Sequence, residues 1–117
     1  MSGAVPEVEF WFEFASPYTY PAAMRALAEE RVRFALHPFL LGPVFSANGL
    51  DRSPNLAVPD KERYMWRDVA RTCARLKLPF RKPTAFPART VYAARVAMLG
   101  AEADWGRAFI ALTFRAI

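Results

Sequence analysis

Hydrophobic and polar positions change their period several times along the chain, and each change marks an element. Glu9-Phe10-Trp11-Phe12-Glu13-Phe14 is a nearly unbroken apolar and aromatic run that predicts a strand. It passes through Ala15 into Ser16-Pro17-Tyr18, where the spacing turns helical, and Tyr20, Ala23, Met24, Leu27 and Ala28 form one apolar stripe. The helix is predicted to start at Ser16, its hydroxyl capping free backbone N–H groups, with Pro17 at the first helical position, where its missing N–H costs nothing. Period two returns from Val32 to Phe39, with Val32, Phe34 and Leu36 alternating against Arg33, Ala35 and His37. The connection through Glu29-Glu30-Arg31 is short, so a parallel β-α-β crossover is the natural packing.

From Leu41 to Asp60 the pattern lapses into Gly, Pro, Asn, Ser and Asp with apolar anchors at Val44, Phe45 and Leu50, which predicts a long loop. Pro59-Asp60-Lys61 then opens a helix to about Leu76 with Met65, Val69, Cys73 and Leu76 on one face. Leu78-Pro79-Phe80-Arg81-Lys82-Pro83 breaks it. Further helices are expected from about Pro87 to Leu99, stopped by Gly100, and from Glu102 onward, with Asp104 near the start and Phe109, Leu112 and Phe114 as apolar surface. No glycine, asparagine or proline follows that last helix, and two strands make a poor sheet, which leads to the expectation of an interrupted chain.

Composition narrows the picture. With 117 residues, 54% hydrophobic and 15% aromatic, the chain is expected to form one folded unit rather than a disordered segment. A formal charge of +5 favours anionic partners without choosing among them. One cysteine, Cys73, excludes an internal disulfide, and with a single histidine, His37, it leaves too few ligands for a structural transition-metal site, so no metal is expected. The start Met1-Ser2-Gly3-Ala4-Val5-Pro6-Glu7 lacks the pattern of a signal peptide, and no apolar run is long enough to cross a bilayer. A soluble protein of a reducing, cytoplasmic compartment is expected, with no membrane partner.

The candidate chemistry lies at the junction of the first strand and helix. Ser16 and Pro17 stand there without a cysteine, so thiol redox chemistry by the protein itself is not expected. A hydroxyl at the positive end of a helix suits a thiolate or another anion brought in by a ligand, and it equally suits a plain helix cap. Arg63, Arg67, Arg71 and Arg75 sweep one side of the long helix, but Glu62 and Asp68 interrupt the field and a solvated face is the better reading, so no nucleic acid is expected. Asp68 and Arg71 are spaced to pair with each other, His37 reads as structural, and Cys73 falls on the apolar stripe as a small buried hydrophobe.

Phe10-Trp11-Phe12-Glu13-Phe14-Ala15-Ser16-Pro17-Tyr18, Pro38-Phe39-Leu40-Leu41-Gly42-Pro43-Val44-Phe45, Lys61-Glu62-Arg63-Tyr64-Met65-Trp66-Arg67-Asp68, Leu78-Pro79-Phe80 with Phe86-Pro87, and Ala93-Ala94-Arg95 occur in this order. Together they resemble the 2-hydroxychromene-2-carboxylate isomerases, relatives of the kappa-class glutathione transferases. The resemblance implies an α/β protein whose thioredoxin-like β-α-β start carries an inserted all-α helical domain. Residues 1–45 would be the N-terminal part of the thioredoxin-like domain, 46–60 a loop, and 61–117 the incomplete insertion, the C-terminal part of the sheet being absent.

The resemblance also implies a function. It is the glutathione-dependent cis/trans isomerisation of a small aromatic carboxylic acid in aromatic hydrocarbon catabolism, by reversible addition of the glutathione thiolate. Ser16 would hydrogen-bond the sulfur as the catalytic and cofactor-binding residue, and Asn55 and Lys61 match positions that contact glutathione or substrate. Tyr64, Trp66, Arg67 and Asp68 belong to a family motif but read as structure. The family is commonly homodimeric. A kappa-class-like transferase, and a non-catalytic binding or assembly module, are the alternative readings.

Overall fold

The computed structural model of the chain describes residues 5–117, so the reading of Met1 to Ala4 lies outside the described residues. Strand β1 (Glu7–Phe12) leads through a turn to helix α1 (Thr19–Ala28) and back into β2 (Arg33–Pro38). The strands pair in parallel from Glu7 opposite Arg33 to Phe12 opposite Pro38, which the crossover through α1 permits. Alternation sorts the side chains onto two faces. Glu7, Trp11, Arg33 and His37 share the outer one, where Arg33 lies 3.7 Å from Glu7 and the Trp11 ring stacks on His37 at 4.5 Å. Phe10 and Phe12 share the inner one with Phe34 and Leu36.

Helix α1 begins three residues later than expected. The backbone carbonyl of Ser16, not its hydroxyl, receives the Thr19 N–H, and Tyr18 rather than Ser16 is the N-cap, with no side-chain capping bond. The Ser16 N–H is itself tied to the Glu13 carbonyl, so residues 13–18 form consecutive turns ahead of the helix. Tyr20 and Ala23 are buried as the stripe predicted, whereas Ala28 is exposed and Ala26 takes its place in the interior.

The expected loop at Leu41–Asp60, including its 46–60 part, is corrected by two short helices, α2 (Leu41–Ala47) and α3 (Pro54–Ala57). The composition there is poor for helices, and the missing information is tertiary: the Leu41 N–H that opens α2 is received by the Glu13 carboxylate, 28 residues upstream. Ser53 caps α3 through its hydroxyl, which accepts from the Asn55 N–H.

Helix α4 (Pro59–Arg75) matches its expectation and buries Met65, Trp66, Val69 and Cys73. Its end is set before the proline: Lys77 adopts a left-handed conformation at φ 59°, which lets the Lys77 and Leu78 N–H groups return to the Ala74 and Cys73 carbonyls. Helix α5 (Val91–Leu99) starts four residues after Pro87, which follows a cis peptide bond. Helix α6 (Gly106–Ala116) starts four residues after Glu102. Gly100 and Gly106 set the α5–α6 corner by size. A Cβ on Gly106 would collide with the Gly100 carbonyl, and one on Gly100 would collide with the Trp105 ring.

A single core cluster joins these parts. Phe12 and Phe14 from the end of β1 pack with Tyr20 and Ala23 of α1, with Met65, Val69 and Cys73 of α4, and with Ile110 and Phe114 of α6. Each such side chain withdrawn from water contributes roughly 1.5–3 kcal/mol before entropy is counted. The rings of Phe14 and Phe114 lie 4.9 Å apart, which fixes the turn after β1, and hence Ser16, against the last helix. Leu112, expected to be apolar contact surface, is exposed instead. Among the described residues no helix is long and apolar enough to cross a membrane.

Candidate functional site

The turns between β1 and α1 open onto a cavity of 910 Å³. One wall comes from Ser16, Pro17 and Tyr18, a second from α2 and α3, and a third from the segment Phe86–Arg95. Ser16 is half-buried. Both of its backbone groups are engaged in the turns, its hydroxyl makes no hydrogen bond among the described residues, and the residue lines the cavity. The N-terminus of α1 lies three residues on, so the field there favours negative charge. Ser16 also borders a recess of 70 Å³ with Tyr20, Phe80 and Phe114, room for only a few waters.

Asn55 reaches the same cavity from α3. Its backbone N–H goes to the Ser53 hydroxyl and its amide nitrogen contacts the Met65 sulfur at 3.5 Å, while among the described residues its carbonyl oxygen makes no hydrogen bond. Lys61 is not on this wall. It lines an adjoining recess of 400 Å³ that shares Tyr18, Asn55 and Met65 with the large cavity. Asp60 and Glu62 flank it in sequence; Asp60 is ion-paired with Arg63 and Glu62 accepts from the Trp66 indole N–H, and Lys61 has no carboxylate partner among the described residues. Ser16 and Asn55 thus line one cavity, and Lys61 lines the recess beside it.

The motif residues of α4 divide. Asp68 does not pair with Arg71; it accepts a 2.8 Å hydrogen bond from the Tyr18 hydroxyl, a correction to the expected i,i+3 pair. Burial first, then the Asp68 hydrogen bond and charge, push the Tyr18 phenol up to about 12. Trp66 is buried and donates to Glu62 at 3.2 Å, while Tyr64 is exposed on the recess with Lys61. Arg63, Arg67, Arg71 and Arg75 are all exposed, as a solvated face requires.

Glu13 was not singled out from the sequence, yet it organises the site. It is 6% exposed, and its carboxylate accepts from the Ala15 N–H at 3.4 Å, the Thr90 hydroxyl at 2.9 Å and the Leu41 N–H at 3.1 Å. One buried anion therefore ties the Ser16 turn to the starts of α2 and α5, and its hydrogen bonds offset the cost of burying it. Arg52, Arg89 and Arg95 also line the cavity and were missed as site residues. Only Arg95 carried a signal, as part of the Ala93-Ala94-Arg95 motif.

Thiol chemistry by the protein itself has no support here. Cys73 is the single cysteine, 0% exposed, and burial pushes its thiol upward, away from reactivity. Among curated proteins and among solved structures, no match to the chain is found. A family model described as a DSBA-like thioredoxin domain matches residues 7–117, from the first residue of β1 through the Ser16 turn and all six helices of the described residues. The chain therefore belongs to the DSBA-like thioredoxin domain family, within the thioredoxin-like superfamily.

Proposed function

We propose that the chain serves a glutathione-dependent isomerisation of a small aromatic carboxylic acid of the 2-hydroxychromene-2-carboxylate type, with Ser16 as its catalytic residue. The observation that carries this is the free Ser16 hydroxyl on a 910 Å³ cavity, in a DSBA-like domain without a cysteine at that turn. Membership of a family that includes glutathione-dependent isomerases and kappa-class transferases supports it.

The residues present fit the tripeptide. The Ser16 hydroxyl is an uncommitted donor for a sulfur, the Asn55 carbonyl oxygen an uncommitted acceptor for a peptide N–H, and the Lys61 ammonium an uncommitted cation for a carboxylate. Glutathione bound there would supply the thiol that adds reversibly to the substrate. Ser16 donates to that sulfur and, with the N-terminal field of α1, favours the thiolate over the thiol. Tyr18, next but one in sequence, cannot take over because its proton is committed to Asp68.

The same reading makes residues 61–117 a helical insertion packed on the thioredoxin-like part, and extends to a cytoplasmic homodimer. Exposed apolar side chains on α5 and α6, Met98, Leu99 and Leu112 among them, are consistent with a partner surface. The test is turnover of 2-hydroxychromene-2-carboxylate with and without glutathione, in the wild type and in Ser16→Ala. Loss of a hydrogen bond to a charged sulfur should lower turnover roughly 10- to 100-fold with the fold retained. Equal turnover in the variant, or turnover indifferent to glutathione, removes the assignment.

A further inference from the structure

We propose that Arg89 and Arg95 form a second binding subsite of the cavity, which holds the carboxylate of a planar aromatic acid against the Tyr92 ring. This deepens the functional reading above and rests on it for the identity of the co-substrate, though not for the chemistry of the subsite.

Arg31, Arg33 and Arg63 are each paired with an acid, and Arg107 donates to the Leu27 carbonyl. Arg89 and Arg95 have no carboxylate within ion-pair distance among the described residues, and both border the cavity. Arg52 borders it too, from the α2–α3 connection. The acids on the same walls are Glu13 and Asp51. Glu13 already accepts from three donors, so its charge is largely answered within the protein, and the lining keeps a positive balance.

Aromatic surface accompanies the cations. Tyr92 is 80% exposed on the cavity rim, and the Arg95 guanidinium lies 5.8 Å from its ring centroid. At that range the guanidinium makes a cation–π contact with the ring, and its planar N–H fork matches a bidentate carboxylate. Arg89 immediately precedes Thr90, which is buried and anchored to Glu13, so the segment carrying Arg89 is held at a fixed place on the wall. Phe86 and Phe45 supply apolar lining for a flat ring. A volume of 910 Å³ sits near the top of the roughly 300–1,000 Å³ typical of small-molecule pockets, enough for an aromatic acid beside a second ligand.

The experiment is calorimetric titration of the whole 117-residue chain, without glutathione, using 2-hydroxybenzoate and its neutral analogue 2-hydroxybenzamide as probes. The wild type should bind the acid at least about tenfold more tightly than the amide. Arg89→Gln and Arg95→Gln should each weaken the acid by roughly tenfold and leave the amide unchanged, which also reports an intact cavity. Equal affinity for the two probes in the wild type overturns the proposal irrespective of how the variants fold, as does wild-type acid binding in the double variant. Glutathione titrated separately distinguishes the two readings: arginine-dependent acid binding without any glutathione binding leaves this subsite standing and sinks the glutathione assignment.

Discussion

Ser16 and Tyr18 stand two positions apart at the head of α1, and their hydroxyls have opposite commitments. Tyr18 donates a hydrogen bond to Asp68 across 50 residues of sequence, while the Ser16 hydroxyl caps nothing. The Tyr18 contact has a pH signature. The phenol is pushed from 10.0 up to about 12, so between those values an unfolded chain loses the proton and the folded one keeps it. Its contribution to stability is complete below about pH 10 and is lost as pH rises through about 12, screened in size because Tyr18 is 43% exposed. Alkaline difference absorbance should find a late-titrating tyrosine that moves toward 10 in Asp68→Asn; an unchanged titration would mean that Asp68 does not hold it. From the sequence, Asp68 was assigned to Arg71 because only neighbours at helical spacing are visible there. Cys73 was legible for the same reason: its environment is set by the stripe of its own helix.

The elements around the cavity are held at the scale of one carboxylate. Glu13 ends the run from β1, and through it α2 and α5 receive their places, which explains why a segment with Gly42, Pro43 and Asn48 nearby is helical at all. Replacing Glu13 with Gln keeps the shape but leaves one oxygen where two accept, so at least one buried donor loses its partner. The expected cost is about 1–3 kcal/mol, read as a lower denaturant midpoint. A midpoint equal to wild type would show that the three bonds are not stabilising. The strand, the crossover and α4 were legible because period and turn chemistry are local. The starts of α1, α5 and α6 were not, since Ser16, Pro87 and Glu102 are good local starters overruled by the Glu13 turn, by the Thr90 anchor and by the Gly100–Gly106 corner.

At the scale of the whole molecule, the core of Phe12, Phe14, Val69, Ile110 and Phe114 binds the β-α-β unit and the later helices into one body. That body is elongated, 53 × 32 × 24 Å, with a radius of gyration of 15.3 Å against roughly 13 Å for a compact chain of about 100 residues. The candidate residues to which the family resemblance pointed, Ser16, Asn55 and Lys61, fall on the cavity and the recess beside it, whereas Arg89, and Glu13 and Arg95 although they lie in the family-like motifs, acquire their place only when three distant segments meet.

Whether Ser16 holds the glutathione sulfur is read from a glutathione titration of the thermal unfolding midpoint, with Ser16→Ala alongside. A ligand that binds only the folded state must raise that midpoint. The wild type is expected to show a rise that is markedly smaller in the variant at equal glutathione. No rise with a cooperative transition, or the same rise in both proteins, would contradict it.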